Sequence, residues 1–280
     1  MACSAVTLSV ATIGAVVAVS CLAIAFGTDN WYEIRVKRKD LTEEAEGNAE
    51  LQEKLQYDIR FFDRDEGIFR ICFPNDKPKK VALYVSPVQT SCMNMNYYLS
   101  EGSTANQTDD AWWERLHMAR SVVGLFISSF FFIFISFFTG IAGCWKRSRG
   151  NVVATGLLLL LAALVDAGAM GLWHGVQYYD SKVLKTGETS YENWPKELKG
   201  MTDFYFGWSY ILAWIGVGMS LLTGILFLCA ARCLRQEKKI EQAKNMQYLM
   251  PVYPDKRQPY GYSYAHPYYP PGTQYSSYGY

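Results

Sequence analysis

The sequence predicts an all-α membrane protein, a left-handed bundle of four transmembrane helices carrying a small disulfide-stapled extracellular β-sheet. Three observations point there. Four long apolar runs occupy residues 5–27, 121–143, 152–176 and 206–231. Basic residues gather in one short turn, Lys146-Arg147-Ser148-Arg149, and in the tail from Arg232 onward. Of seven cysteines, only Cys72 and Cys92 fall in the long polar segment between the first two runs.

Each run can cross a ~30 Å hydrocarbon core, which takes ~20 helical residues. No water inside lipid satisfies backbone N–H and C=O groups, so each run is expected to be a helix. Charge by segment orients them. The stretch from residue 28 to Ala119 has 12 Lys/Arg against 17 Asp/Glu, a net of −5. The turn carries +3, and the tail has seven basic and three acidic residues, a net of +4. Short basic loops stay cytoplasmic. The expected order is therefore a cytoplasmic N-terminus (1–4), a first extracellular loop (28–120), a cytoplasmic turn (144–151), a second extracellular loop (177–205) and a cytoplasmic tail (232–280). Cleavage of the first run as a signal peptide is not expected. Met-Ala-Cys-Ser lacks a basic residue, and the run exceeds the usual ~7–15-residue core.

In the first loop, two cysteines in an oxidising space most simply pair with each other. Such a bridge would add ~3 kcal/mol by closing the intervening chain. Free thiols or an intermolecular bridge are the alternatives. Tyr32–Val36 and Gly67–Ile71 alternate, and Val81–Ser86 is β-rich after the turn-forming Pro74-Asn75-Asp76-Lys77-Pro78, so these segments read as strands. So small a sheet needs a staple. Residues 37–64 form a charged insert rich in helix formers and weakly amphipathic.

Trp31, then Gly67-Ile68-Phe69, then Cys72 and Cys92, in the first outer loop of a four-span chain, resemble the signature of the claudin superfamily. That group includes claudins, peripheral-myelin-type proteins and calcium-channel gamma subunits. Arg120, at the mouth of the second helix, resembles the arginine claudins carry there. The likeness covers the whole topology. Phe69 stands where claudins have a second tryptophan, the cysteines are further apart, and the insert is additional. These departures point to a divergent branch, such as the invertebrate septate-junction claudin-like proteins or a vertebrate orphan group. Trp31 reads either as part of the signature or as an interfacial anchor, the role expected of Trp112, Trp113, Trp173, Trp194 and Trp208.

Within the helices, Phe130–Phe132 and Phe137–Phe138 suit a lipid-facing or interhelical surface. Gly168 with Gly171, and Gly216 with Ser220 and Gly224, have the spacing that lets backbones approach. Asp166 is the exception. A carboxylate at this depth costs ~2.5–3.5 kcal/mol on insertion scales, so it needs a partner or a cavity. Its readings are a hydrogen-bonded structural acid, a contact with a partner's basic residue, or an ion or proton site. His174 is expected near the interface.

Lys238–Lys244 extends the last helix. Residues 250–280 hold six prolines and nine tyrosines, a composition that does not fold alone. Tyr278-Gly279-Tyr280 has the apolar-x-apolar form that adds to a PDZ groove. Cys144, Cys229 and Cys233 lie at the cytoplasmic border beside basic residues and are palmitoylation candidates, as in claudins. Asn106, in Asn106-Gln107-Thr108, is a glycosylation candidate.

No catalytic constellation, cofactor loop or metal-ligand spacing appears; His117, His174 and His266 are scattered. Neither enzymatic activity nor a nucleic-acid partner is expected. The expected partners are the lipid bilayer, other membrane proteins (copies of itself, claudin-like proteins or a channel) and a PDZ scaffold at the C-terminus. The resemblance implies a structural or adhesive component of cell–cell junctions in the plasma membrane. The alternative it also implies is an auxiliary or trafficking subunit of a channel or other membrane protein.

Overall fold

A computed structural model describes residues 2–79, 81–86, 90–95, 97, 110–184 and 190–249. Contacts divide the chain into two units, Met1–Lys239 and Ile240–Tyr280; in the second, residues 240–249 are described and are helical. In chain order the elements are α1 (Ala2–Gly27), β1 (Tyr32–Val36), α2 (Arg38–Glu44), α3 (Ala49–Tyr57), β2 (Arg64–Glu66), β3 (Arg70–Phe73), β4 (Tyr84–Val85), β5 (Ser91–Asn94), α4 (Asp110–Lys146), α5 (Arg149–Tyr178), α6 (Lys196–Gly200), β6 (Thr202–Phe206) and α7 (Trp208–Leu249).

Helices α1, α4, α5 and α7 are long and apolar enough to span a membrane. They pack in the ring order α1–α4–α5–α7 around one continuous core that includes Leu22, Phe126, Leu159, Met170 and Val217. Small residues set the closest seams. A Cβ on Gly156 would lie 3.0 Å from the Gly224 carbonyl oxygen, and one on Gly216 would meet the Leu22 side chain at 2.7 Å. Gly168 and Gly171 do not share this role: open space surrounds both. They sit on the outward face of α5 with Leu164, which is 67% exposed. The aromatic run of α4 divides by helical period. Phe131, Phe134, Phe137 and Phe138 face outward, while Phe130 and Phe132 pack on the core.

Helix α4 ends on Arg147, whose left-handed φ of 43° lets the Ser148 N–H reach the Gly143 carbonyl at 3.2 Å. This is the Schellman closure that satisfies an orphan carbonyl. The link from α4 to α5 is thus only two residues, Arg147 and Ser148. At the opposite end both helices overrun their apolar stretches. Arg115 donates to both carboxylate oxygens of Asp180 at 3.0 and 2.9 Å, and the Tyr179 hydroxyl donates to Glu114 at 2.5 Å.

That end carries an antiparallel sheet of order β4-β5-β3-β2-β1-β6. Two of the three strands expected from sequence differ, and β2, β5 and β6 were not expected. The Gly67–Ile71 segment splits: Gly67–Phe69 turns between β2 and β3, with the Gly67 N–H bonded to the Arg70 carbonyl at 2.8 Å. Of Val81–Ser86 only Tyr84–Val85 pairs, as an edge strand beside β5. The sixth strand comes from the second loop. All five residues of β6 pair with β1, from Tyr32↔Phe206 to Val36↔Thr202.

The insert between β1 and β2 is a folded cap. Helix α3 starts on Asn48, whose side chain accepts the Leu51 N–H. It buries Leu51 and Leu55, while α2 buries Leu41. With Ile34, Val36, Phe61, Phe62, Phe73, Trp194 and Leu198 they form a second core on one face of the sheet. Each buried Leu or Phe contributes about 1.5–3 kcal/mol. Trp194 is therefore not an interfacial anchor; it is 6% exposed, under the Arg64 guanidinium at 5.3 Å. Trp173, also expected at the interface, belongs to the helix core.

Candidate functional site: the sheet domain and its seat

Cys72 and Cys92 lie directly opposite in the β3–β5 register and form a disulfide. The Asp29 carboxylate approaches both sulfurs within 4.8 Å. Bonded sulfurs offer no thiolate ligand, so the cluster is no metal centre.

Trp31 is fully buried between the two layers. Its indole N–H donates to the Ala25 carbonyl at 2.8 Å, and its ring lies 5.8 Å from Phe126 and 5.5 Å from Trp173. A solvent-facing anchor would need an exposed edge, so burial removes that reading. Phe69, in the β2–β3 turn, meets Phe26 edge-on at 4.9 Å. Gly67 is required by space: a Cβ there would stand 2.6 Å from the Asp29 Cα. Arg120 donates to the Tyr97 carbonyl through Nε at 3.1 Å and Nη2 at 2.6 Å, and the Tyr97 hydroxyl donates to the Ile68 carbonyl at 2.5 Å. Trp31, Gly67, Phe69 and Arg120 thus all act where the sheet meets the helices.

An aromatic line crosses that seat. Phe26, Phe126, Trp31, Trp173, Tyr32, Phe204 and Trp194 follow one another with ring centroids 5.5–6.3 Å apart. His174 joins it from α5, with Nε2 3.0 Å from the Tyr210 hydroxyl of α7 and its ring against Phe206. Edge-to-face and offset pairs of this kind add ~0.5–1.5 kcal/mol each beyond burial.

The face of the sheet opposite the cap is polar. Arg35 pairs with Glu33 at 2.9 Å and Asp65 at 2.7 Å, and Lys37 reaches Asp203 at 3.4 Å. Burial pushes the Asp65 carboxyl above its ordinary value, opposed by the charge and hydrogen bond of Arg35. Burial does the same to Asp29, opposed by Arg70. Both sheet edges present apolar side chains: Tyr84 and Val85 are 39% and 72% exposed on one, Tyr205 and Phe206 55% and 51% on the other. The β6 aromatics were missed from sequence; the β-prone run Phe204-Tyr205-Phe206 ahead of Gly207 was the available signal.

Asp166 is 1% exposed and accepts a hydrogen bond from Ser129 of α4 at 2.7 Å. It is held within the bundle by its own chain. Cys144, near the end of α4, and Cys229, within α7, are exposed, and Cys233, one turn further along α7, is half-buried. Asn106, Tyr278 and Tyr280 lie outside the described residues.

A six-stranded, disulfide-linked sheet drawn from two loops and seated on four spanning helices defines a multi-pass membrane protein with a compact sheet domain. The chain belongs to the PMP-22/EMP/MP20/Claudin family, whose model, described as PMP-22/EMP/MP20/Claudin tight junction, matches residues 16–229.

Proposed function

We propose that this claudin-family protein is a structural, adhesive component of cell–cell junctions in the plasma membrane. Its sheet domain faces outward and both termini lie in the cytoplasm, as the basic turn and tail favour. The observation that carries the reading is the sheet domain itself. It has its own hydrophobic core and, among the described residues, two outer strands bearing the exposed side chains of Tyr84, Val85, Tyr205 and Phe206. Open edges and exposed apolar groups are surfaces for protein contact. The tail carries the PDZ-type terminus Tyr278-Gly279-Tyr280, Asn106 is glycosylated, and acylation of Cys144, Cys229 or Cys233 anchors the cytoplasmic border. The reading assigns no catalytic role.

An auxiliary channel subunit would draw on Asp166 or on the helix faces as an intramembrane grip. The Ser129 hydrogen bond and its near-complete burial withhold that carboxylate from a partner, which leaves the helix faces to carry that second reading. An internally tagged copy with a free C-terminus, imaged in a polarised epithelium, is expected to form a continuous lateral band at contacts. Its knock-down is expected to raise paracellular tracer flux. Reticular signal without contact enrichment would transfer the assignment to an auxiliary or trafficking subunit.

A further inference from the structure

A cavity in the sheet domain lies where the insert leaves the sheet. It has a volume of about 560 Å³ and opens between the end of β1, the start of α2 and the Asn75–Asp76 turn. That volume lies within the ~300–1,000 Å³ range of small-ligand sites. Three consecutive cations, Lys37, Arg38 and Lys39, line it together with Asp40, Asp63 and Asp76.

These charges do not simply cancel, although Lys37 also reaches Asp203 of the sheet at 3.4 Å in a solvent-exposed pair that leaves its ammonium further donors. Asp63 is committed internally, one oxygen accepting the Val36 N–H at 2.7 Å and the other the Asn75 side-chain amide at 2.9 Å. Arg38 is fixed in place by stacking over Phe62 at 4.1 Å and by donating through Nη2 to the Leu55 carbonyl at 2.9 Å. Its Nε stands 3.8 Å from the exposed Asp76 carboxylate. Its Nη1 is buried with no hydrogen-bond partner among the described residues. The Arg38 side chain as a whole is 30% exposed and lines the cavity, and the accessible part of such a guanidinium suits an oxyanion. Lys39 is exposed beside it. Asp40 and Asp76 remain as acceptors on the rim, suited to hydroxyl donors.

Anionic groups for the Lys37–Lys39 run and hydroxyls for the rim carboxylates occur together in one ligand class. We propose that this cavity binds an acidic saccharide, of the kind carried by extracellular glycosaminoglycans, with its sulfate or carboxylate groups on Lys37, Arg38 and Lys39. The proposal rests on the outward placement of the sheet domain. It goes beyond the junctional reading, because a glycan site does not require contact between copies.

The test uses the full-length chain in nanodiscs of neutral lipid. Fluorescence anisotropy would follow three labelled tetrasaccharides: a sulfated heparin fragment, its unsulfated carboxylated counterpart and neutral chitotetraose. The sulfated probe is expected to bind, to weaken with salt, and to lose about tenfold in affinity in a Lys37→Gln/Lys39→Gln double variant. A Lys182→Gln/Lys196→Gln control carries the same charge change elsewhere and is expected to bind as the wild type does. Equal binding of the unsulfated probe would assign recognition to the carboxylate, within the proposal. An unchanged elution profile and thermal midpoint would certify that the variants fold. No binding by the wild type, equal loss in both double variants, or equal binding of chitotetraose would overturn the proposal. None of these results depends on where the protein resides in a cell, so failure here leaves the imaging test independent.

Discussion

Arg70 ties the sheet to the exit of the first helix, its Nε donating to Asp29 Oδ1 at 2.8 Å and its Nη2 to the Gly27 carbonyl at 3.0 Å. The two side chains are only 20% and 11% exposed. Removing one strands the other in a largely desolvated seat. Arg70→Gln is expected to cost about 2 kcal/mol, read as a lower thermal midpoint of the purified protein. A midpoint equal to wild type would show that the pair contributes no net stability.

The same seat sets a pH dependence. Burial raises the Asp29 carboxyl above its ordinary value, so the folded state holds its proton more tightly than the unfolded state. The stability this adds is fully present below about pH 3.9 and is lost as pH rises through the raised folded-state value. On acidification from about pH 7 towards pH 4, wild type is expected to gain stability relative to Asp29→Asn. Parallel stability curves for the two proteins would count against this.

Glycine positions separate sharply. Gly67→Ala places a methyl 2.6 Å from the Asp29 Cα, a backbone atom that cannot rotate away. The expected cost is about 1–3 kcal/mol or more. Gly168→Ala meets open space and is expected to be neutral or, through helix propensity, stabilising by up to ~1 kcal/mol. Thermal denaturation of both variants side by side tests the contrast.

The spanning helices were legible because a bilayer imposes a length and a composition that no soluble segment mimics. The Cys72–Cys92 bridge was legible because only those two cysteines share one loop. Other features depend on partners far along the chain. Leu41, Leu51 and Leu55 are sparse among charges, so the insert looked weakly amphipathic; its apolar side becomes evident only against Trp194 and Leu198 from the second loop. For the same reason Trp194 and Trp173 looked like interfacial anchors. β6 follows a short helix with no hairpin signal, and its partner β1 precedes three of the four spans. The Gly168–Gly171 spacing failed differently: small residues permit close packing, but periodicity does not say which face of α5 meets a neighbour.

Between the spanning helices, the Ser129 hydroxyl donates to Asp166. Ser129→Ala is expected to destabilise the bundle by about 0.6–1.7 kcal/mol, the range found for such bonds in lipid. Asp166→Asn keeps an acceptor for Ser129 and is expected to cost less. Reversible unfolding in mixed micelles would rank them; a more damaging Asp166→Asn would mean that the acid does more than bond to Ser129.

Trp31 offers the largest single effect. It has no exposed surface, and truncation removes its ring contacts and the indole bond to Ala25. Trp31→Ala is expected to cost about 3–5 kcal/mol, with most of the protein retained before the cell surface. Trp31→Phe keeps a ring and is expected to recover part of the loss. Surface biotinylation against total protein measures both.

The pairing of β1 with β6 has a consequence for biosynthesis. β1 emerges directly after the first helix, yet its neighbour is made only after α5, a delay of roughly 10–30 s at ordinary elongation rates. During that interval one long edge of the nascent sheet stands open, and Tyr32, Ile34 and Val36 lack the strand that will cover them. Maturation therefore waits on nearly the whole polypeptide, and a chain truncated before Thr202 would keep an unfinished edge.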